Sequence, residues 1–520
     1  MAKLSKSTKS VIIAAAVMLV LGGAALALLM TQPDPEEESS SQDTSSVVST
    51  SVDITTKESD NVLSLTVKNS IGEFSFDRQE RIVSSTDAEG KVTSETEYYW
   101  TSKQMMGLTP NDTTIKAFMR NMAGLSTKNL VEENAEDLAK YGLETPQATV
   151  AVSFDDGTTA SLCFGIQNPA NTGLVYFREE GSSDVHQVTY YNVGSAFYDI
   201  KDFVSLMMTE SYDANNAEEL DYLIIERKDF EEPVEIRYMF DVAEASEDED
   251  AIITTFNSHR FITPIATEVD STKGQTLCYG LYGLSMASCE YLDKSEENLS
   301  ATGLDDPYVT VTFKYGGKRR VLYLGDEIVT VTESDDPSKP ALTTVTGYYA
   351  MMDGVEGIYS IAKDSAPWYD FTVQNVMSRR PVSPYIYTVD TITVTTPDKE
   401  YVFSIEGDSE EHSFSCNGQP CNDLGFRTLY QHLIASVGEE LYFDEPTMGL
   451  AAKVEFKYRE EYVEIYGTQA DVLEYYNSDD RKSIIKVNGS TLFKVRQVYT
   501  DRLLSNIEAL LTGGELETNW

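Results

Sequence analysis

Residues Tyr141–Gly165 read YGLETPQATVAVSFDDGTTASLCFG, and Thr302–Gly325 read TGLDDPYVTVTFKYGGKRRVLYLG. Laid over each other, Gly142, Leu143, Pro146, Thr149 and Val150 fall on Gly303, Leu304, Pro307, Thr310 and Val311, and the two stretches end on Gly165 and Gly325. The glycine suits a left-handed turn, and the proline suits the first residue of a strand, where a missing N–H is tolerated. After Pro146 the chain alternates, with Val150, Val152 and Phe154 on one face. A turn at Asp156-Gly157, or at Gly316-Gly317 in the second stretch, returns it as a hairpin. A third, worn copy, MGLAAKVEFKYREEYVEIYG, spans Met448–Gly467. It carries Lys453 where the proline is expected, and its turn reads as shortened.

Working outward, a unit of roughly 150 residues occurs three times from Val62 onward. Each copy opens with two alternating strands: VLSLTVKN and GEFSFDR, LDYLIIERK and PVEIRYMF, VDTITVTTP and EYVFSIEG. An amphipathic helix follows in each. Its apolar stripe is Ile115, Phe118, Met119, Met122 and Leu125 in the first, Leu277, Leu281 and Leu284 in the second, and Phe426, Leu429, Tyr430, Leu433 and Val437 in the third. Further strands come after the Gly-Leu hairpin, and helix-like segments at 193–208, 366–377 and 491–511 close the copies. The expected fold class is α+β: tandem units of mostly antiparallel sheet packed with one or two helices. The boundaries read as 61–212, 219–384 and a diverged unit at 387–520.

Ahead of these units, Val11–Met30 is a run of twenty uncharged, mostly apolar residues, preceded by Lys3, Lys6 and Lys9. At about 1.5 Å rise per residue it is long enough to cross a bilayer. The flanking charges place a cytoplasmic tail at 1–10, a single transmembrane helix at 11–30 and the bulk of the chain outside the cell. The alternative is a cleaved signal peptide, with Ala25-Leu26-Ala27 as the cleavage site. Residues 31–60, rich in Ser, Thr and Glu, read as a disordered stalk.

The chain has 85 Asp+Glu against 40 Lys+Arg, a net charge of -45, which argues against nucleic acid as a partner. Five cysteines in 520 residues are no disulfide framework. Cys416 and Cys421 flank an Asn417-Gly418 turn and either pair across a hairpin or stay two thiols. The acidic run Glu244–Asp250 reads as a solvated loop, since it lacks the glycine and alternating ligands of a calcium loop.

The anchor, the DLAKYGLETP turn and the strand hairpin ending on glycine resemble the bacterial family known as domain of unknown function 4340. The resemblance is clearest over 129–208 and 297–377. It implies a membrane-anchored extracytoplasmic protein, related to auxiliary components of gliding-motility-type ABC transporters, and supplies no catalytic residues.

Read for chemistry, Ser360-Ile361-Ala362-Lys363, Ser59-Asp60-Asn61 and Thr272-Lys273-Gly274 imitate the three motifs of penicillin-binding enzymes, but the nucleophile comes last and falls in a strand. No G-x-S-x-G, H-E-x-x-H, P-loop or G-x-G-x-x-G occurs, and the four histidines stand at unrelated places in the repeats. No catalytic, cofactor-binding or metal site is expected. Tyrosine is abundant, and Tyr348, Tyr349, Tyr385 and Tyr387 are the candidate interaction surface, because exposed rings stack on sugars or partners; the alternative is that they are ordinary strand formers. The expected function is therefore a non-enzymatic binding or scaffold protein, accessory to a membrane complex such as an ABC-type transporter. A cell-wall or glycan binder is the alternative, and an envelope hydrolase the remote one.

Overall fold

The strand Val62–Asn69 (β1) buries Val62, Leu65 and Val67 and turns Leu63 and Lys68 to solvent, as a sheet with one covered face requires. The computed structural model describes residues 52–86, 92–212, 220–239, 259–332, 341–408 and 411–519. The expected tail, the membrane helix at 11–30 and the acidic run at 244–250 lie outside the described residues. No helix among those described is long and apolar enough to cross a membrane. Residues 51–520 form one compact unit.

The first domain continues with β2 (Glu73–Thr86), β3 (Val92–Thr101), β4 (Asn129–Glu132), β5 (Ala148–Phe154), β6 (Thr159–Asn168), β7 (Asn171–Glu179) and β8 (Val185–Thr189). The second holds β9 (Leu220–Arg227), β10 (Val234–Tyr238), β11 (His259–Thr263), β12 (Thr267–Glu268), β13 (Ser288–Tyr291), β14 (Val309–Tyr315), β15 (Lys318–Thr332), β16 (Leu342–Met352) and β17 (Ile358–Ala362). The third holds β18 (Val389–Thr395), β19 (Glu400–Gly407), β20 (His412–Cys416), β21 (Gln419–Pro420), β22 (Glu440–Leu441), β23 (Leu450–Tyr458), β24 (Ala470–Asn477), β25 (Lys482–Val487) and β26 (Ser490–Arg496).

Strand order is the same in all three sheets. The first runs β3-β2-β1-β5-β6-β7-β8-β4, the second β12-β11-β10-β9-β14-β15-β16-β17-β13, and the third β21-β20-β19-β18-β23-β24-β25-β26-β22. Only the outermost strand beside β11 and β20 has no counterpart beside β3. The central antiparallel pairs share one register: Val67 faces Val150, Ile225 faces Val311, and Val394 faces Val454.

That register explains the repeated signature. Gly142 and Gly303 have φ of 67° and 66°, and the turn they make lies against a bulge in the following hairpin strand. Gly165 and Gly325 sit at that bulge, where a β-carbon would come within 2.1 Å of Tyr141 O and 2.2 Å of Thr302 O. On the far side of the first sheet, Leu143 and Tyr141 build a small second core with Cys163, Val185 and Ala135.

The third copy departs differently from the sequence reading. By register Leu450, and not Lys453, stands at the proline position, and Tyr476 stands at the Gly165 position, where the irregularity lies in β23 between Leu450 and Ala452 and the pairing with β25 is regular. Its connection between β23 and β24 is lengthened, not shortened: residues 459–469 carry two short helical turns that end at Gly467, φ 67°.

The helix of the first domain, α1 (Asp112–Ala123), is capped by Asn111 Oδ1 accepting from Thr114 N–H at 3.1 Å, and buries Ile115, Phe118, Met119 and Met122. The third domain repeats this in α3 (Asp423–Leu433), capped by Asn422. Between them, α2 (Gln275–Tyr279) is much shorter than its leucine stripe suggests, because the chain leaves the helix at Gly280 and turns left-handed at Gly283, φ 61°. Leu277, Leu281 and Leu284 are buried all the same.

The closing segments also differ. Residues 193–208 and 366–377 hold only short helical turns before running extended, while 491–511 begins in β26 and becomes the helix α4 (Gln497–Thr512). The extended runs are strands in a joint. Leaving the first domain, Phe203 O accepts from Asn111 N–H at 2.7 Å and Ser205 N–H donates to Thr109 O at 2.8 Å. The same strand then pairs with the second domain: Met208 N–H donates to Leu284 O and Met286 N–H to Leu206 O, both at 2.8 Å. The second joint repeats the pattern through Asp270 N–H to Val376 O (2.9 Å), Ser378 N–H to Glu268 O (2.7 Å) and Gly438 N–H to Arg379 O (2.7 Å).

Residues 52–60, read from sequence as the end of the stalk, are part of this scheme. Asp53 bridges Ser126 as Met207 bridges Ser285. Thr55 Oγ1 donates to Met122 O and accepts from Leu125 N–H (2.9 and 2.7 Å), as Thr209 Oγ1 does with Leu281 O and Leu284 N–H (2.6 and 2.8 Å). The incoming chain thus docks on the first domain as each linker docks on the next. At the other end α4 packs on α3, where a β-carbon on Gly425 would lie 2.7 Å from Leu510 Cδ1. One continuous core runs through all three domains.

Two substitution sets test this account. Gly165→Ala and Gly325→Ala each lose roughly 2–4 kcal/mol in urea unfolding, against about 1 kcal/mol for Gly157→Ala, which has left-handed backbone but open space around it. Thr55→Val and Thr209→Val each cost about 1–3 kcal/mol by the same measurement, since each leaves a buried N–H unpaired.

Candidate functional site

The sequence-derived interaction surface does not lie at the surface. Tyr348 is 2 % exposed and stacks on Tyr369 at 3.7 Å; Tyr385 and Tyr387 are also buried, and Tyr349 is half-buried. Burial pushes the Tyr348 phenol up to about 12. Alternation placed these rings correctly on strands and turns, but adjoining helical segments cover the faces that carry them. The residues of the repeat signature are structural, as described above. The penicillin-binding imitation is scattered. Ser360 is buried in β17 with its Oγ 2.6 Å from Ser288 Oγ, Ser59-Asp60-Asn61 form a helical turn of the first domain, and Thr272-Lys273-Gly274 precede α2. All five cysteines are free; burial pushes the thiols up, Cys278 to about 12 and Cys289 and Cys416 to about 11. No group of metal-ligating side chains occurs among the described residues.

One cluster carries residue types used in catalysis. His412 Nε2 lies 2.8 Å from Asp423 Oδ1 and 3.0 Å from Arg427 Nη2, while its Nδ1 lies 3.2 Å from Asp408 O and 3.3 Å from Tyr387 OH. Both ring nitrogens are engaged by groups of the protein itself. The cluster ties the first turn of α3, through Asp423 and the Arg427 pair one turn on, to β20.

The most developed polar constellation joins the second and third domains. Arg260 on β11 and Asp471 on β24 form an ion pair whose side chains are 2 % and 0 % exposed. Asp471 also accepts from Tyr458 OH and from Asn488 Nδ2, the latter at 2.9 Å. Arg260 Nε donates to Tyr466 O at 3.1 Å, and Asn488 Nδ2 reaches back to Ala266 O at 2.6 Å. Tyr466 stacks on Tyr458 at 3.8 Å and meets Thr388 Oγ1 through its hydroxyl. Burial alone would lower the Arg260 pKa, but Asp471 beside it reverses the direction and holds the guanidinium charged. Burial, with Asp471 next to it, drives the Tyr458 phenol well up. The lengthened β23–β24 connection supplies Tyr466 and Gly467 to this joint; Gly467 leaves room for Ile262, whose Cγ2 would lie 2.8 Å from a β-carbon there.

Beside the network opens a groove of about 550 Å³, lined by Asp390, Lys457, Tyr458, Arg459, Glu460 and Glu461. Its charges are mixed, and Lys457 already faces Asp390 at 3.5 Å. Sequence reasoning missed Arg260 and Asp471, since no period links residues so far apart; the one available signal was an arginine inside a strand of a very acidic chain.

With this geometry in view, the comparisons with known proteins take their place. A family described as a domain of unknown function (DUF4340) matches residues 100–236. That stretch of the chain is similar to DUF4340. The match begins at Trp100, the end of β3, takes in the Gly142–Gly165 hairpin and ends in β10. The resemblance read from the turn, proline, strand and glycine is therefore supported over 129–208, which the match includes, while the match does not extend to 297–377. No curated protein and no solved structure matches the chain.

The joint and the two deepest histidines make testable claims. Asp471→Asn or Arg260→Met alone costs about 3–5 kcal/mol in urea unfolding, because the partner charge stays buried and unpaired. Arg260→Met with Asp471→Leu costs less than the sum of the single changes. Burial lowers His259 and His432 to about 4, and His432 is held as the neutral tautomer that donates from Nε2 to Tyr499 O at 3.1 Å and accepts at Nδ1 from Asn506 Nδ2. Between about pH 6.5 and 4 the unfolded chain binds protons that the folded one does not, so stability falls with acid there by on the order of 3 kcal/mol per histidine. Urea titrations at pH 7 and pH 4 check this, and His259→Phe removes its share of the fall.

Proposed function

We propose that this chain is a non-enzymatic, membrane-anchored extracytoplasmic scaffold that binds and organises a membrane complex such as an ABC-type transporter. The observation that carries this reading is the repetition of one sheet three times through the same strand-built joint. Stacked units in one continuous core present an extended rigid surface, which suits partner binding. The apolar run at 11–30 with lysines before it supplies the anchor in this reading, and the resemblance to DUF4340 supplies the transporter association. The net charge of -45 fits a protein working away from phosphate backbones.

Affinity capture of the tagged full chain from solubilised membranes tests the proposal, with residues 52–520 lacking the apolar run as the control. A membrane protein recovered in stoichiometric amount with the full chain is the expected outcome. Recovery of none, at native expression level, sinks it.

A further inference from the structure

We propose that the free edge of the first sheet is a docking site for an extended, basic segment of another protein, which adds as a strand alongside β3. This rests on the binding role proposed above and names the surface that serves it. The three sheets provide the comparison. In the second and third, the strand two places out from the centre, β11 or β20, is covered by a further antiparallel strand, β12 or β21. The counterpart in the first sheet is β3, and among the described residues nothing pairs along its outer edge. The fold accepts a strand at this position twice and leaves the longest version of it open.

Apart from Glu95 and Glu97, β3 has none of the features by which edges usually avoid pairing. It contains no lysine, proline or bulge, and every residue from Val92 to Thr101 is in unbroken register with β2. It projects from the sheet, exposed from Val92 to Thr96, and Ile82, Val83 and Val92 are 77, 43 and 63 % exposed. The two faces of this hairpin differ in chemistry. Ile82 pairs with Thr96 on one, beside Val92; Val83 pairs with Glu95 and Arg81 with Glu97 on the other. Arg81 is shared between Glu97 at 2.9 Å and Asp112 at 3.7 Å, whereas Glu95 makes no ion pair among the described residues. An added strand therefore fits best with Lys or Arg facing Glu95 and Glu97 and a β-branched apolar residue between them.

Charge also selects against two acidic segments of the chain itself as occupants. Residues 31–51 carry five acidic side chains and no Lys or Arg, and 240–258 carry six and none. A second copy laid antiparallel about Thr96 would set Glu95 against Glu97, a repulsive cross-strand pair.

The test uses the full chain in detergent micelles and an acetylated, amidated octapeptide of alternating lysine and valine. Hydrogen exchange should show the amides of 92–101 protected on binding. Affinity should fall at least tenfold for Glu95→Lys with Glu97→Lys, and for a peptide whose pairing amides are N-methylated, and a glutamate–valine peptide should not bind. Equal binding by the N-methylated or the glutamate peptide overturns the proposal, as does an absence of protection at 92–101. Protection that appears without peptide and grows with protein concentration assigns the edge to a second copy and also overturns it. The scaffold reading is judged separately: if the Glu95→Lys, Glu97→Lys chain still captures its membrane partner, only the edge is withdrawn.

Discussion

Each linker strand in this protein has two edges, and both need hydrogen-bond partners before the strand can be buried. The solution is the same at each junction. One edge pairs with the segment before the helix of the domain just completed, and the other pairs with the segment after the helix of the domain to come. A strand shared in this way leaves little freedom between neighbouring domains, because any hinge motion would strip backbone groups of their partners. The continuity of the core from Val62 to Leu510 follows from that sharing.

The start of the array obeys the same constraint. Val52–Thr55 fills the incoming position on the first domain, down to a threonine hydroxyl that serves one carbonyl and one N–H as Thr209 does. At the other end of the array the helix α4 packs on α3. Among the described residues the outer edge of β3 has no neighbouring strand, and it belongs to a different direction of growth.

The second junction adds a buried charge pair to the strand joint. Arg260 and Asp471 come from different domains, and the lengthened connection after β23 exists in the third domain alone, where it wraps the pair with Tyr458 and Tyr466. A buried ion pair adds little net stability over an apolar one, but the loss of either member is severe, so its contribution is to fix one arrangement of the two domains. The tyrosines that looked like an exposed row in the sequence belong to this interior: Tyr385 donates its N–H to Tyr466 OH, and Tyr387 holds the hydroxyl that Arg427 and His412 meet.

Local physics was legible in the sequence wherever a period or a turn carried it. The alternation of β1, β9 and β18, the stripes of α1 and α3, and the paired glycines of the Gly-Leu hairpin all follow from side-chain direction and from left-handed backbone. The sequence by itself thus determined three repeated units, with the opening strand pair of each and the Gly-Leu hairpin of the first two. The tertiary structure decided the rest: that 52–60 docks instead of trailing, that α2 stops after a turn and a half, that the tyrosines face inward, and that Arg260 meets Asp471. In each of these the deciding partner lies in another domain or far along the chain, and a periodicity records which way a residue points without recording what it will meet.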